Sequence, residues 1–352
     1  MRRRRVLVAA GGTGGHILPG ICVGRALANS GAVEVQYFAG RRPIENEIYR
    51  GEGIEPTLLR TGYSRGSKFM QSIEMAFDFA AMTARMIVNR PAAVVAMGGA
   101  ACFPVLSAAR LLRIPIFLHE SNRIPGKVIR LFAKIARRVF LGLGGLEGKN
   151  VSVTGTPTKG AVEINGERDV VLCVGGSQGA TALNDMFIAA ANSAELCGCP
   201  LKFVLIAGPG KAPVAPGRVE VRAYEPNLPA LLSRCVLAVS RSCAGALADF
   251  ANFRIPAILV PYPHAMDDHQ TANAKVYADA EAALLLDEKR LTGPILTVAM
   301  ERLLMDETQL LAMSSAVAGF DSSGSARAIA DEILASIASP SRASSLARSI
   351  AR

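Results

Sequence analysis

The sequence predicts an α/β protein of two Rossmann-like, doubly wound parallel-sheet domains facing a cleft. Three observations carry that expectation. A glycine-rich turn, Gly11-Gly12-Thr13-Gly14-Gly15-His16, follows the first β-rich run, and a near-copy, Gly175-Gly176-Ser177-Gln178-Gly179, follows another in mid-chain. Around both, short β-rich runs alternate with helical stretches, and the alternation breaks near residue 157 and starts again. A glycine turn between strand and helix lets backbone N–H groups approach an anion, while the helix behind it presents the positive end of its dipole. Two such loops can hold diphosphate groups without a metal.

In the first half, Arg5 to Ala10, Val33 to Ala39, Ala93 to Met97, Ile116 to Leu118 and Arg138 to Leu141 have the composition of strands. The segment around Gly155, Pro157 and Gly160 combines turn residues with a shift in composition, which sets a boundary between a domain of residues 1–157 and one of residues 158–352. Beyond it the strand candidates are Val170 to Val174, Lys202 to Ala207, Val219 to Ala223, Leu237 to Ser240, Ala257 to Val260 and Ala283 to Leu285. Ligand sites in such sheets lie beyond the strand C-termini, where both glycine loops fall.

The first loop lacks the third glycine of G-x-G-x-x-G, because Ile17 stands there, and no Walker pattern is present. Neither a standard dinucleotide site nor an ATPase is expected, although Arg41-Arg42 after the second strand would suit a 2′-phosphate. Seven cysteines without a C-x-x-C pair argue against a disulfide framework or a zinc site and fit a reducing cytoplasm. The start, Met1 to Arg5 followed by Val6 to Ala10, reads as a first strand rather than a signal peptide. The uncharged stretch from Pro91 to Ala109 is interrupted by Gly98, Gly99 and Pro104, and reads as strand, loop and helix rather than a membrane span.

Charge is unevenly placed. Residues 1–157 carry 22 Lys and Arg against 9 Asp and Glu, and residues 158–352 carry 17 against 20. The basic half has few aromatic residues to stack bases, so an anionic membrane surface is a better expected partner than nucleic acid. Lys68 to Arg90 is helical in period and unusually apolar, with Phe69, Met70, Ile73, Phe77 and Met82 beside Arg65, Lys68, Arg85 and Arg90. The pattern suits an interfacial helix and a core-facing amphipathic helix equally. The last residues, Ser339 to Arg352, are rich in Ser, Ala and Arg and are expected to fray.

Polar clusters follow other strands: His119-Glu120-Ser121-Asn122, Ser240-Arg241-Ser242, Pro261-Tyr262-Pro263-His264 and Asp267-Asp268-His269-Gln270. Together with Gly11-Gly-Thr-Gly-Gly-His-Ile-Leu-Pro-Gly20 and Gly175-Gly-Ser-Gln-Gly-Ala180, they resemble the MurG family, bacterial N-acetylglucosaminyltransferases that complete the lipid-linked disaccharide of peptidoglycan. The resemblance spans nearly the whole chain. It implies the GT-B fold, with UDP-N-acetylglucosamine bound mainly by the second domain. The acceptor, undecaprenyl-diphosphoryl-N-acetylmuramoyl-pentapeptide, meets the first, and a C-terminal helix at about 325–340 packs back on that domain. It also implies a peripheral protein at the cytoplasmic face of the membrane, in contact with anionic inner-leaflet lipids and with other cell-wall enzymes.

The implied reaction is inversion at the anomeric carbon, in which the acceptor's C4 hydroxyl attacks and UDP leaves. His16 is the candidate general base, histidine being the residue type suited to that task near neutral pH; capping its helix or hydrogen-bonding the acceptor diphosphate are the alternatives. Ser177 and Gln178 would meet the leaving-group charge. Asp267-Asp268 invites a metal, but the resemblance favours sugar-hydroxyl contacts from Gln270, and neither metal nor cofactor is expected. By the resemblance, Thr13, Gly14, Gly15, Asn122, Lys159, Ser242, Asp249 and Gln270 also serve the donor, with the backbone near Tyr224 and Glu225 reading uracil. Gly12, Gly98, Gly99 and Glu120 serve the acceptor beside His16.

Three single positions and one loop depart from the family pattern. Asp249 stands for Glu at the ribose contact, Lys159 for Arg after the interdomain turn, and Ser121 for Gln. The second acceptor loop reads Gly98-Gly-Ala-Ala-Cys-Phe-Pro104 where Gly-Gly-Tyr-Val-Ser-Gly-Pro is usual. A changed lipid acceptor, or a weakened homologue that binds sugar nucleotide as a scaffold, are therefore the competing expectations.

Overall fold

The computed structural model describes residues 3–61, 67–160, 166–176, 179–208, 210–213 and 217–338. The expectations for Arg65, Ser177, Gln178 and residues 339–352 lie outside these.

The first sheet contains β1 (Arg4–Ala9), β2 (Val33–Ala39), β3 (Thr57–Leu58), β4 (Ala93–Ala96), β5 (Ile116–Glu120), β6 (Arg138–Leu141) and β7 (Val151–Val153), all parallel, in the order β3-β2-β1-β4-β5-β6-β7. Its connecting helices are α1 (Gly14–Asn29), α2 (Pro43–Gly51), α3 (Lys68–Val88), α4 (Cys102–Leu111) and α5 (Lys127–Phe132). The central strands are buried on both faces, which is why Val6-Leu7-Val8-Ala9 and Ala93-Val94-Val95-Ala96 are continuous apolar runs. The uncharged stretch from residue 91 resolves into β4, a glycine loop and α4. No described helix is long and apolar enough to cross a membrane.

The second sheet contains β8 (Val170–Val174), β9 (Lys202–Ile206), β10 (Val219–Arg222), β11 (Cys235–Ser240), β12 (Ala257–Leu259) and β13 (Ala283–Leu285), again parallel, in the order β10-β9-β8-β11-β12-β13. Its helices are α6 (Thr181–Ala191), α7 (Leu228–Leu232), α8 (Ala244–Asn252), α9 (His269–Asp279), α10 (Gly293–Leu304) and α11 (Glu307–Ala318). In each sheet the order reverses beside the strand that carries the glycine loop, β1 or β8, so both loops lie at switch points.

The last helix, α12 (Ser325–Ala338), leaves the second domain and completes the core of the first. Its Ile329, Ala330 and Ile333 pack with Val6, Val8, Ile21 and Leu27, and Glu332 pairs with Arg138. The chain therefore crosses between domains twice. Asn252 at the end of α8 ties both crossings: its amide donates to Thr158 Oγ1 at 2.8 Å, and its carbonyl accepts from the Ser322 N–H at 2.8 Å.

Helix α3 carries two apolar stripes. Met82 and Met86 point inward, as does Asp78, whose carboxylate accepts from the Thr61 N–H and hydroxyl, both at 2.7 Å. Phe69, Met70, Ile73 and Phe77 form the other stripe and are exposed, Phe69 at 74%. Helical period alone left open which side these four would face.

Candidate active site

The two glycine loops of the first domain nest against each other. Helix α1 begins at Gly14 with Thr13 as an extended N-cap that makes no side-chain cap bond, and its first turn holds no acidic residue. The positive end of the helix is thus left for an anion beside Thr13, Gly14 and Gly15. Gly98 and Gly99, with φ of +103° and +88°, wrap this turn. A Cβ on Gly99 would lie 2.3 Å from the Gly11 carbonyl oxygen, and one on Gly98 would lie 3.0 Å from His16 Nε2. Only glycine permits so close an approach in that conformation. His16 is partly buried, with Nδ1 3.0 Å from the Gly11 carbonyl oxygen, so Nδ1–H donates there and Nε2 is left toward the second loop.

Two of the expected acceptor contacts are used within the protein instead. The Gly12 N–H donates to Glu45 Oε1 at 2.8 Å and so offers no free amide to a diphosphate. Glu120, 1% exposed, accepts from the Asn122 N–H at 2.9 Å, the Asn122 side-chain amide at 3.1 Å and the Gly126 N–H at 2.8 Å. A buried carboxylate must be satisfied where it stands, and this one shapes the loop after β5 rather than projecting from it. His119, fully buried, has Nε2 3.2 Å from the Gly155 carbonyl at the crossing, and burial pushes its pKa down to about 4, keeping the ring neutral.

Across the cleft, Gly175 and Gly176 follow β8, and α6 begins at Thr181 with neither a side-chain cap nor an acidic first turn. Lys211 Nζ donates to the Gly179 carbonyl at 3.3 Å and sets a cation beside this loop. Arg241, 4% exposed, forms a two-pronged pair with Glu288 at 2.9 and 2.6 Å and donates to the Val260 carbonyl, which fixes the Ser240-Arg241-Ser242 turn. Ser242 Oγ donates to the Gln270 carbonyl at 2.7 Å. Gln270 Oε1 accepts from the Tyr262 N–H at 2.9 Å, so this side chain braces the rim. Tyr224 and Glu225 follow β10; Tyr224 is exposed, and Glu225 is held by the Asn227 N–H and by Arg222.

The lobes touch through groups that reach across. Asn273 of α9 donates to Asn122 Oδ1 at 3.0 Å and accepts from the Arg123 N–H at 2.8 Å. Asp267 pairs with Arg130 at 3.8 Å and Asp268 accepts from Thr271, so each of these carboxylates has a protein partner. Lys159 pairs with Glu52 of the first domain at 2.6 Å. Asp249 on α8 lies in the same neighbourhood. Burial, opposed by the Lys159 charge, pushes its pKa up to about 7. Glu45, Lys211 and Asn273 escaped the sequence reading because their partners lie 33, 32 and about 150 residues away.

The state of Asp249 predicts a pH effect. Its folded-state pKa is raised, so between about 4 and 7 the folded chain binds a proton that the unfolded chain has lost, and this group's contribution to stability falls as pH rises through that window. Asp249→Asn is expected to gain thermal stability relative to the unsubstituted protein as pH goes from 5 to 8, measured by calorimetric melting; a difference independent of pH refutes the assignment.

Two parallel α/β lobes, each with an anion-ready glycine loop at its switch point and facing the other across a bridged cleft, define a GT-B glycosyltransferase. The chain belongs to glycosyltransferase family 28: the family's N-terminal domain matches residues 6–141 and its C-terminal domain residues 170–332. It is 37% identical over 308 residues to the UDP-N-acetylglucosamine--N-acetylmuramyl-(pentapeptide) pyrophosphoryl-undecaprenol N-acetylglucosamine transferase of Synechococcus sp. (strain RCC307), a match covering 80% of this chain and 82% of that protein. The same-named transferase of Xylella fastidiosa (strain M12) is 33% identical, covering 94% of this chain and 96% of that protein. Among solved structures, that of Acinetobacter baumannii MurG superposes with a TM-score of 0.76 at 23% identity, covering 95% of this chain and 99% of that one, a likeness of fold.

Proposed function

We propose that the protein transfers N-acetylglucosamine from UDP-N-acetylglucosamine to the C4 hydroxyl of undecaprenyl-diphosphoryl-N-acetylmuramoyl-pentapeptide, inverting the anomeric centre. The observation that carries this reading is the similarity, over 80% and 94% of the chain, to transferases named for that reaction. The two opposed glycine loops support it.

In this mechanism His16 Nε2 takes the proton from the acceptor hydroxyl as its oxygen bonds to the anomeric carbon. The bond from that carbon to the β-phosphate oxygen breaks, and its electron pair leaves with UDP. The α6 N-terminus, Lys211 and the loop bearing Ser177 and Gln178 meet the added charge, as electrostatic preorganisation requires. Thr13, Gly14 and Gly15 offer the other helix end, and Gly98 and Gly99 give the acceptor diphosphate a close backbone. Asn122, Lys159, Ser242, Asp249 and Gln270 serve the donor once it displaces or joins their present partners. The acceptor reaches the site from a membrane: the exposed apolar stripe of α3, with Lys68 and Arg85 on the same helix, suits an anionic leaflet at the cytoplasmic face.

Radiolabelled UDP-N-acetylglucosamine offered with the muramoyl lipid acceptor tests the reading. Transfer, and UDP release that depends on the acceptor, are expected. Donor binding without turnover would instead favour a scaffold, and turnover only on another lipid would move the acceptor assignment.

A further inference from the structure

We propose that Glu45 is a positioning residue for His16, acting through a single peptide unit of the first glycine loop; the inference rests on the reading of His16 as the base. Glu45 lies in the first turn of α2 and is 2% exposed. Its two oxygens are held by backbone N–H groups, Oε1 by Gly12 at 2.8 Å and Oε2 by Gly40 at 2.6 Å. The carboxylate thereby fastens the glycine loop to the end of β2. Hydrogen bonds to an ionised acceptor are among the stronger ones in proteins, and so is the penalty for leaving such a buried acceptor unpaired.

The Gly12 N–H and the Gly11 C=O belong to one peptide group. Because that group is planar and trans, its N–H and C=O point in opposite directions. With the N–H held by Glu45, the carbonyl is turned away from Glu45, and the atom it meets is His16 Nδ1 at 3.0 Å. A peptide whose N–H is bonded to a carboxylate is also polarised toward a stronger carbonyl acceptor. Glu45, the 11–12 peptide and the imidazole thus form a line in which the carboxylate selects the Nδ1–H tautomer and leaves Nε2 unprotonated on the side of Gly98. Gly99 closes the opposite flank, since a Cβ there would meet the same carbonyl oxygen at 2.3 Å. A direct carboxylate–histidine pair does the same for a base by contact; here a peptide bond is interposed.

The test compares Glu45→Gln, His16→Ala and the double variant with the unsubstituted enzyme. A carboxamide has one acceptor oxygen for two N–H groups and turns an NH2 toward the other. Turnover in Glu45→Gln is expected to fall about 10- to 100-fold, the range for a group that orients a histidine from behind, with the KM for UDP-N-acetylglucosamine unchanged. In the double variant the loss should match that of His16→Ala alone, since the two act as one unit. Nitrogen NMR of the unsubstituted protein should find His16 with its neutral-state proton on Nδ1, a readout that requires no variant to fold. Glu45→Asp, whose shorter arm cannot span both N–H groups, is read in the same way if Glu45→Gln proves unstable. Losses that multiply in the double variant, unchanged turnover in Glu45→Gln, or a proton on Nε2 would each overturn the inference while leaving the transfer reaction intact. Full activity in His16→Ala would remove the base assignment and this inference with it.

Discussion

Replacing His16 with alanine should lower turnover about 10²- to 10⁴-fold, the usual contribution of a positioned general base, while leaving the affinity for UDP-N-acetylglucosamine within about twofold. The asymmetry follows from the site's division. His16 sits on the first turn of α1 with Nε2 toward Gly98, whereas the second glycine loop, Arg241 and Gln270 belong to the other lobe. Loss of a base alters the reacting oxygen, not the grip on the nucleotide. Single-turnover kinetics with saturating donor measures the first quantity and calorimetry the second. A variant with a raised KM for the acceptor and intact turnover at saturating acceptor would show that His16 only binds an anion, and would return its role to that of an acceptor-diphosphate ligand.

The second large effect concerns α3. Phe69→Asp combined with Ile73→Asp should reduce partitioning onto vesicles with anionic headgroups at least about 100-fold. Burying one large apolar side chain is worth about 1.5–3 kcal/mol, and two such contributions are lost together. Both residues are exposed, at 74% and 46%, and face away from Met82 and Met86, so the fold is expected to survive the change. Sedimentation with vesicles measures the loss. Activity on an acceptor embedded in a bilayer should fall with it, and activity on a short-chain, water-soluble acceptor should not. Raising salt should weaken binding of the unsubstituted protein only in part, because Lys68 and Arg85 contribute a screened attraction beside an apolar one that salt leaves. Unchanged sedimentation of the double variant would mean that another surface meets the lipid.

Much of the architecture was legible in the order of residues. All six strands of the second sheet overlap the runs that composition selects: β8, β9, β11 and β12 are apolar segments buried inside the sheet, and the half-exposed edge strands β10 and β13 are short β-rich runs closed by turn residues. Strands β3 and β7 were not legible. Neither has a fully buried residue, so no apolar run marks them, and they exist because a neighbouring edge offers unpaired backbone groups. Helix α3 was half legible: its period was clear, but its direction was set by Asp78, Met82 and Met86 finding partners elsewhere in the chain. The candidate site divides similarly. Glycine loops announce themselves locally, since positive φ and close approach demand glycine at named positions. Glu45 and Asn273 do not, since an acid or an amide of this kind becomes a brace only when distant peptides are folded against it. Glu120 even stood within a motif, and its spacing gave no hint that its oxygens would be consumed by its own loop.

The return of α12 onto α1 has a consequence for biosynthesis. The interior around Val6, Val8 and Ile21 is not closed until Ile329, Ala330 and Ile333 arrive, so the lobe made first cannot finish folding while most of the second is still to be translated. During that interval the nascent amino-terminal half keeps an uncovered apolar groove, a natural binding place for a holdase. A stop codon shortly before Ser325 should therefore damage the half of the molecule lying farthest from it in sequence.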